Sequence, residues 1–294
     1  MHEAEENWAL VAFTSLAPLS VGGLLALLMT GGARPAAGLD WAAVVLLGVG
    51  LLALVGSLLH LGRPFRAFRA IMRFGTSWLS REVILFGLFL LCLAAYAVPP
   101  TLVGGSEAGF FVGVVAEIAG LVGLLATGEV YRLRSRPAWN QWTATISFPL
   151  GALSSGLLFG IFVERLSSVS ASYGSGVGAV SIVAIVALLL AMASSWVRSS
   201  RLQRGSEEER AGYRLLFGRY RWVVALRMAG AACALVLAVL GGVALLAAWI
   251  PAAVGELADR ILFFNTVIPV SLTARSGVRR FGWGSESSAT VREP

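Results

Sequence analysis

Two histidines and two cysteines are the whole stock of imidazole and thiol ligands in this 294-residue chain: His2, His60, Cys92 and Cys233. A haem held between helices draws on two axial ligands, commonly both histidine, and an iron–sulfur cluster on about four thiolates. His2 lies at the amino terminus and each cysteine stands alone in an apolar run, so neither set assembles. No haem, no iron–sulfur cluster and no metal are expected within the chain. What remains is proton chemistry, and its best-placed candidates are His60 and Glu82. His60 ends an apolar segment and is followed by Leu61, Gly62, Arg63 and Pro64. Glu82 follows Ser80 and Arg81 at the start of the next segment.

Each residue has a plain structural account. A histidine at a helix C-terminus meets favourable partial charge, with Gly62 as a left-handed cap and Pro64 as a stop. An acid in a first helical turn, with Ser80 as the expected N-cap, complements the helix dipole. Together they say more, because one closes a segment and the other opens the next, which puts both at one membrane face. A neutral imidazole and a carboxylate at a bilayer edge can hydrogen-bond a quinol hydroxyl and accept its proton. Arg63 and Arg81 adjoin the pair and are included as candidate quinol contacts.

The remaining ionisable residues in apolar stretches are Glu117, Glu129, Glu164 with Arg165, and the helix-spaced set Glu256, Asp259 and Arg260. Such groups are expensive in a bilayer and line cavities, pair with one another or carry function. Glu256 and Arg260, four apart, share a helical face and are expected to pair. Glu117 has no evident cation and reads as a neutral acid or a member of a proton path.

The elements that must position these residues follow from composition. Hydrophobic residues make up 57% of the chain, charged residues 13%, and mean hydropathy is +0.80. A hydrocarbon core roughly 30 Å thick takes about 20 apolar residues per crossing. Apolar runs near residues 8–30, 41–61, 80–98, 108–130, 143–163, 177–197, 223–248 and 250–273 predict eight membrane spans. No alternation competes with them, so the predicted fold is an all-α integral membrane protein, a bundle of eight transmembrane helices. Residues 1–275 form the expected anchor domain, and residues 276–294 read as a polar, disordered cytoplasmic tail. Pro251 is expected to divide the last two spans or to kink a longer helix. The first run, preceded by Glu3, Glu5 and Glu6, does not read as a cleavable signal.

The net charge of +7 would suggest nucleic acid in a soluble chain, but here no nucleic-acid partner is expected. All 23 basic residues are arginine, and 18 of them fall in the loops after spans two, four and six and in the tail. By the positive-inside rule this face, which also holds His60 and Glu82, and both termini are cytoplasmic. The stretch from Arg198 to Arg221, including the acids Glu207 to Glu209, reads as a solvated loop touching anionic lipid, or as a docking surface for a soluble partner.

Several of these stretches, in order, resemble the membrane anchor subunit of bacterial anaerobic dimethyl sulfoxide reductases. They are His60-Leu-Gly-Arg-Pro-Phe-Arg-Ala-Phe-Arg-Ala70, Ser77-Trp-Leu-Ser-Arg-Glu-Val83, Tyr131-Arg132 with Arg136-Pro-Ala-Trp-Asn140, and Gly255-Glu-Leu-Ala-Asp-Arg260. The resemblance runs from the first span nearly to residue 275. It implies an eight-helix, haem-free subunit of the bacterial or archaeal cytoplasmic membrane that oxidises menaquinol. It further implies an iron–sulfur electron-transfer subunit and a molybdopterin catalytic subunit as partners. The histidine and glutamate implicated at the family's quinol site correspond to His60 and Glu82. The competing expectation is a secondary transporter using Glu117, Glu256 and Arg260. No internal repeat supports it, and Pro149, Pro251 and Pro269 do not fall at matching offsets.

Overall fold

The computed structural model describes residues 2–31, 38–59, 74–167 and 176–268. His60, Arg63 and the other residues of 60–73 fall outside the described residues, as do Pro269 and the predicted tail. Among the described residues there are nine helices, one short 3-10 turn (Pro100–Val103) and no strand. The helices are α1 (His2–Thr30), α2 (Trp41–Leu59), α3 (Trp78–Ala97), α4 (Ser106–Val130), α5 (Trp142–Ser167), α6 (Val177–Arg204), α7 (Glu207–Phe217), α8 (Arg221–Leu240) and α9 (Gly242–Asn265). All but α7 contain an apolar stretch long enough to cross a membrane. Backbone hydrogen bonds are then satisfied inside each segment, as a lipid environment requires.

The bundle is organised around α1 and α5, whose apolar windows are each 72% buried, against 17% for α8 at the periphery. Glycine brings these two central helices together. A Cβ on Gly156 would come 2.8 Å from the Gly22 Cα, and one on Gly160 would come 2.6 Å from the Gly23 carbonyl oxygen. The Gly156-x-x-x-Gly160 spacing on α5 therefore lets the backbones touch, the small-residue packing by which membrane helices gain van der Waals contact. Within α5, Pro149 lacks the N–H for a regular bond, and the helix widens to a π turn at Ala152–Gly156 just beyond it. The sequence neighbours α1 and α2, α3 and α4, and α8 and α9 also pack extensively. Between α1 and α2, the Ser20 hydroxyl also donates to the Leu46 carbonyl at 2.8 Å.

Three expectations need correction. The last two spans part at Gly241 and Gly242, whose φ of 67° and 57° are left-handed values natural to glycine. α9 is itself interrupted at Ala248, between Gly242–Ala247 and Trp249–Asn265, and Pro251 lies in the first turn after that interruption, where a missing N–H is tolerated. The N-cap of α3 is Ser77, whose Oγ accepts from the Ser80 N–H, so Glu82 falls in the second turn rather than the first. Finally, Arg198 to Arg221 is not a loop. α6 continues to Arg204, and α7 is an amphipathic helix opened by a capping box in which Ser206 and Glu209 each satisfy the other's backbone N–H. Ser206-x-x-Glu209 is the sequence signal for it.

Candidate functional site

Glu82 points into the bundle. It is only 7% exposed, and its Oε1 accepts from the Thr127 hydroxyl of α4 at 2.9 Å. Thr127 also donates to the Gly123 carbonyl at 3.1 Å, a shared bond that keeps the hydroxyl against the helix wall. Tyr131, one residue past α4, lies in the field of Glu82, and burial together with that carboxylate raises its phenol well above the ordinary value, so it stays a hydroxyl. Arg81, one position before Glu82, is turned elsewhere. Its Nε and Nη2 donate to the carbonyls of Phe74 and Gly75 at 3.1 and 3.0 Å, and its guanidinium stacks 4.2 Å from the Trp78 ring centre. Arg81 therefore closes the turn that leads into α3. The structure thus groups Glu82 with Thr127 and Tyr131, not with Arg81. Of the sequence candidates, His60 and Arg63 lie outside the described residues, one and four positions beyond the end of α2.

A second polar assembly sits beside it. Arg260 of α9 is fully buried, pairs with Glu256 on the preceding turn as expected, and donates to the Ser147 hydroxyl and carbonyl of α5 at 3.0 and 2.8 Å. Its guanidinium also lies 4.1 Å from the Phe148 ring centre. Asp259, one residue earlier, reaches across to Arg198 of α6 at 2.8 Å and Arg227 of α8 at 2.9 Å. Three guanidiniums and two carboxylates thus tie α5, α6, α8 and α9 together. Gly151 makes room for the assembly, since a Cβ there would meet Glu256 Oε1 at 2.6 Å. Arg227 is missing from the candidates read from sequence, although its place inside the seventh span could have flagged it; its pairing with Asp259, 32 residues away, could not be read there.

Aromatic packing joins the two assemblies. Tyr131, Trp139, Phe148, Phe263 and Phe264 form a cluster of stacked and edge-on rings with centroids 5.2 to 6.0 Å apart. The Trp139 indole donates to the Phe263 carbonyl at 2.8 Å. Tyr131 and Trp139 follow α4, while Phe263 and Phe264 close α9, so stretches far apart in sequence meet in one wall. The other acids are separate. Glu129 is held by Thr145 at 2.6 Å and Arg132 at 3.0 Å, and Glu164 accepts from Thr30 at 2.9 Å at the opposite end of the bundle. Glu117, near the middle of α4 and 5% exposed, has no hydrogen-bond partner on either oxygen among the described residues.

The disposition is one-sided. Glu82, Thr127, Ser147, Arg198, Arg227, Asp259 and Arg260 all lie within two turns of the helix ends on the arginine-rich side. Among the described residues no group of three or more His, Cys, Asp or Glu is placed to hold a metal ion. Fold and site together define a multi-pass, all-α membrane protein with a buried carboxylate and a charge cluster set just inside one face.

The protein belongs to the DMSO reductase anchor subunit (DmsC) family, whose model matches residues 1–265. It is similar to a chain of the anaerobic dimethyl sulfoxide reductase of Haemophilus influenzae, 29% identical over 152 residues that span 48% of this protein and 53% of the relative. It is also similar to YnfH, a chain of an anaerobic dimethyl sulfoxide reductase of Escherichia coli, 28% identical over 188 residues spanning 56% and 60%. A third relative, a subunit of the sulfite dehydrogenase of Allochromatium vinosum, is 32% identical over 114 residues, 35% of each protein. The matched region spans a little over half the length of the first two relatives.

Proposed function

We propose that this protein is the membrane anchor and quinol-oxidising subunit of a dimethyl sulfoxide reductase type complex. In this reading menaquinol is the substrate, and its electrons pass to an iron–sulfur subunit that serves a molybdopterin catalytic subunit in the respiratory chain of the cytoplasmic membrane. The observation that carries it is Glu82, a buried carboxylate hydrogen-bonded to Thr127 and set one turn inside the arginine-rich face. Such a group is suited to accept a proton from a hydroxyl, because the second oxygen retains acceptor capacity. Membership of the DmsC family supports the anchor role.

The proposed division of labour follows from the residues. Glu82 takes one quinol proton. His60, which follows α2 in the sequence, takes or relays the other, and Arg63 is the candidate cation for the quinol oxygens. Thr127 holds the Glu82 carboxylate in place, and Tyr131, within reach of its charge, remains a neutral hydroxyl. The two electrons leave toward a partner bound at this face, in keeping with a sequence whose two histidines and two cysteines make up no evident haem or cluster ligand set. The transporter alternative is not favoured: Glu256 and Arg260 are closed on each other and on Ser147, while Glu117 is unpartnered in a different helix.

The test is oxidation of a menaquinol analogue by membranes carrying the assembled complex. His60→Ala and Glu82→Ala are each expected to lower the rate at least about tenfold, the lower range for loss of a positioned acid–base group being ~100-fold when the chemical step limits. A wild-type rate in either variant would refute the role given to that residue.

A further inference from the structure

The arginine-rich end of α6 carries residues that take no part in the proposed quinol chemistry. A groove of ≈ 350 Å³ is bounded there by Trp196, Val197, Ser200, Arg201, Arg204 and Gly205. α6 has 28 residues and is about 42 Å long at 1.5 Å per residue. That exceeds a hydrocarbon core of roughly 30 Å by about two helical turns, so its last turns stand in the headgroup layer. Trp196, 72% exposed, marks the boundary in the way interfacial tryptophans do, and Trp222 at the start of α8 is 74% exposed on the same side.

Two further observations select the ligand. First, Arg201 and Arg204 form no ion pair among the described residues, whereas Arg210 and Arg214 of the adjoining α7 both reach Glu207. Arg201 is instead held 5.9 Å from the Trp142 ring centre, which keeps its guanidinium at the groove. Second, the face of α6 that leads to the groove is an exposed apolar stripe of Ile182, Val186, Leu189 and Leu190. A stripe of this spacing is a track for acyl chains, and it delivers whatever headgroup they carry to the two arginines.

We infer that the groove binds the headgroup of an anionic phospholipid from the leaflet on the arginine-rich side. The guanidiniums of Arg201 and Arg204 donate to phosphate oxygens, a geometry their planar forks match. The Ser200 hydroxyl supplies a further donor, and Trp196 covers the glycerol region. Selectivity arises from net charge, since a zwitterionic headgroup brings its own cation to the same place.

The full-length protein, purified from membranes in mild detergent with the subunits that accompany it, tests this by native mass spectrometry with added phosphatidylglycerol or phosphatidylcholine. Wild type is expected to prefer phosphatidylglycerol about thirtyfold, equal to ~2 kcal/mol at about 1.4 kcal/mol per tenfold and to about 1 kcal/mol per interfacial arginine. The doubly substituted Arg201→Gln, Arg204→Gln protein should lose most of that preference. Arg201→Lys with Arg204→Lys should keep a large part, and Arg210→Gln with Arg214→Gln should leave it unchanged. An unchanged preference in the first variant, or an equal loss in the α7 variant, would overturn the assignment. Displacement of the lipid by millimolar inorganic phosphate would overturn it too, because the site would then serve a free anion.

Discussion

Asp259 and Glu82 show how differently a buried acid can be used. Asp259 is ringed by Arg198, Arg227 and, at 4.0 Å, Arg260, and its two close partners come from other helices. Removing one member of such a set leaves charge buried without its counter-charge. Asp259→Asn is therefore expected to destabilise the folded bundle by about 3 kcal/mol, read as a lowered thermal midpoint in detergent, while Glu256→Gln should lose less because Arg260 keeps Ser147. Among the described residues Glu82 has a single neutral donor instead. Thr127→Val keeps the shape of that side chain and removes the hydroxyl, and it should cost about 1 to 3 kcal/mol of stability and slow quinol oxidation together. An unaltered oxidation rate in Thr127→Val would separate the hydroxyl from the chemistry. The Glu256 and Arg260 pair is legible from four-residue spacing. The Asp259 partners are not, because nothing in sequence spacing specifies which helices pack side by side.

Helices and their junctions decide what these residues can reach. The contact of α1 with α5 depends on Gly22, Gly23, Gly156 and Gly160, and a side chain on Gly22, Gly156 or Gly160 would meet backbone that cannot step aside. Gly156→Leu should force the two central helices apart at a cost of about 3 kcal/mol or failure to accumulate in the membrane, measurable by expression and thermal unfolding. At α7, Ser206→Ala removes one half of the capping box and should weaken that helix by ~1 kcal/mol, seen as faster hydrogen exchange at residues 207–210 with the spans unaffected. All eight apolar runs form helices long enough to span, since twenty-residue apolar stretches leave the chain few alternatives in lipid. The junctions are harder to read. The Gly241-Gly242 break is a local backbone choice inside a run that is apolar on both sides, and Pro251, the stronger sequence signal, is rendered harmless by its first-turn position.

At the scale of the whole molecule, polarity is distributed by side. The charge cluster, Glu82 with Thr127, the aromatic wall and α7 all gather at the arginine-rich end, while the opposite end carries, among the described residues, only the scattered Asp40, Glu107, Glu164 and Arg165, with Glu164 bonded to Thr30. At the arginine-rich end Asp259 and Glu256 are matched by arginines, whereas Glu82 meets a neutral hydroxyl and has no counter-charge among the described residues. This arrangement, in a member of the DmsC family, is what a subunit needs if it collects a proton-bearing lipid-soluble reductant and hands electrons to a partner across the same face. Quinol oxidation at Glu82 is the central functional proposal. It is tested most directly by the rate at which a menaquinol analogue reduces the partner iron–sulfur clusters in the purified complex, followed optically after rapid mixing. Glu82→Gln should slow cluster reduction at least about tenfold with the complex intact, and Glu117→Gln, remote in the middle of α4, should not. Equal rates for wild type and Glu82→Gln in intact complexes would contradict the proposal.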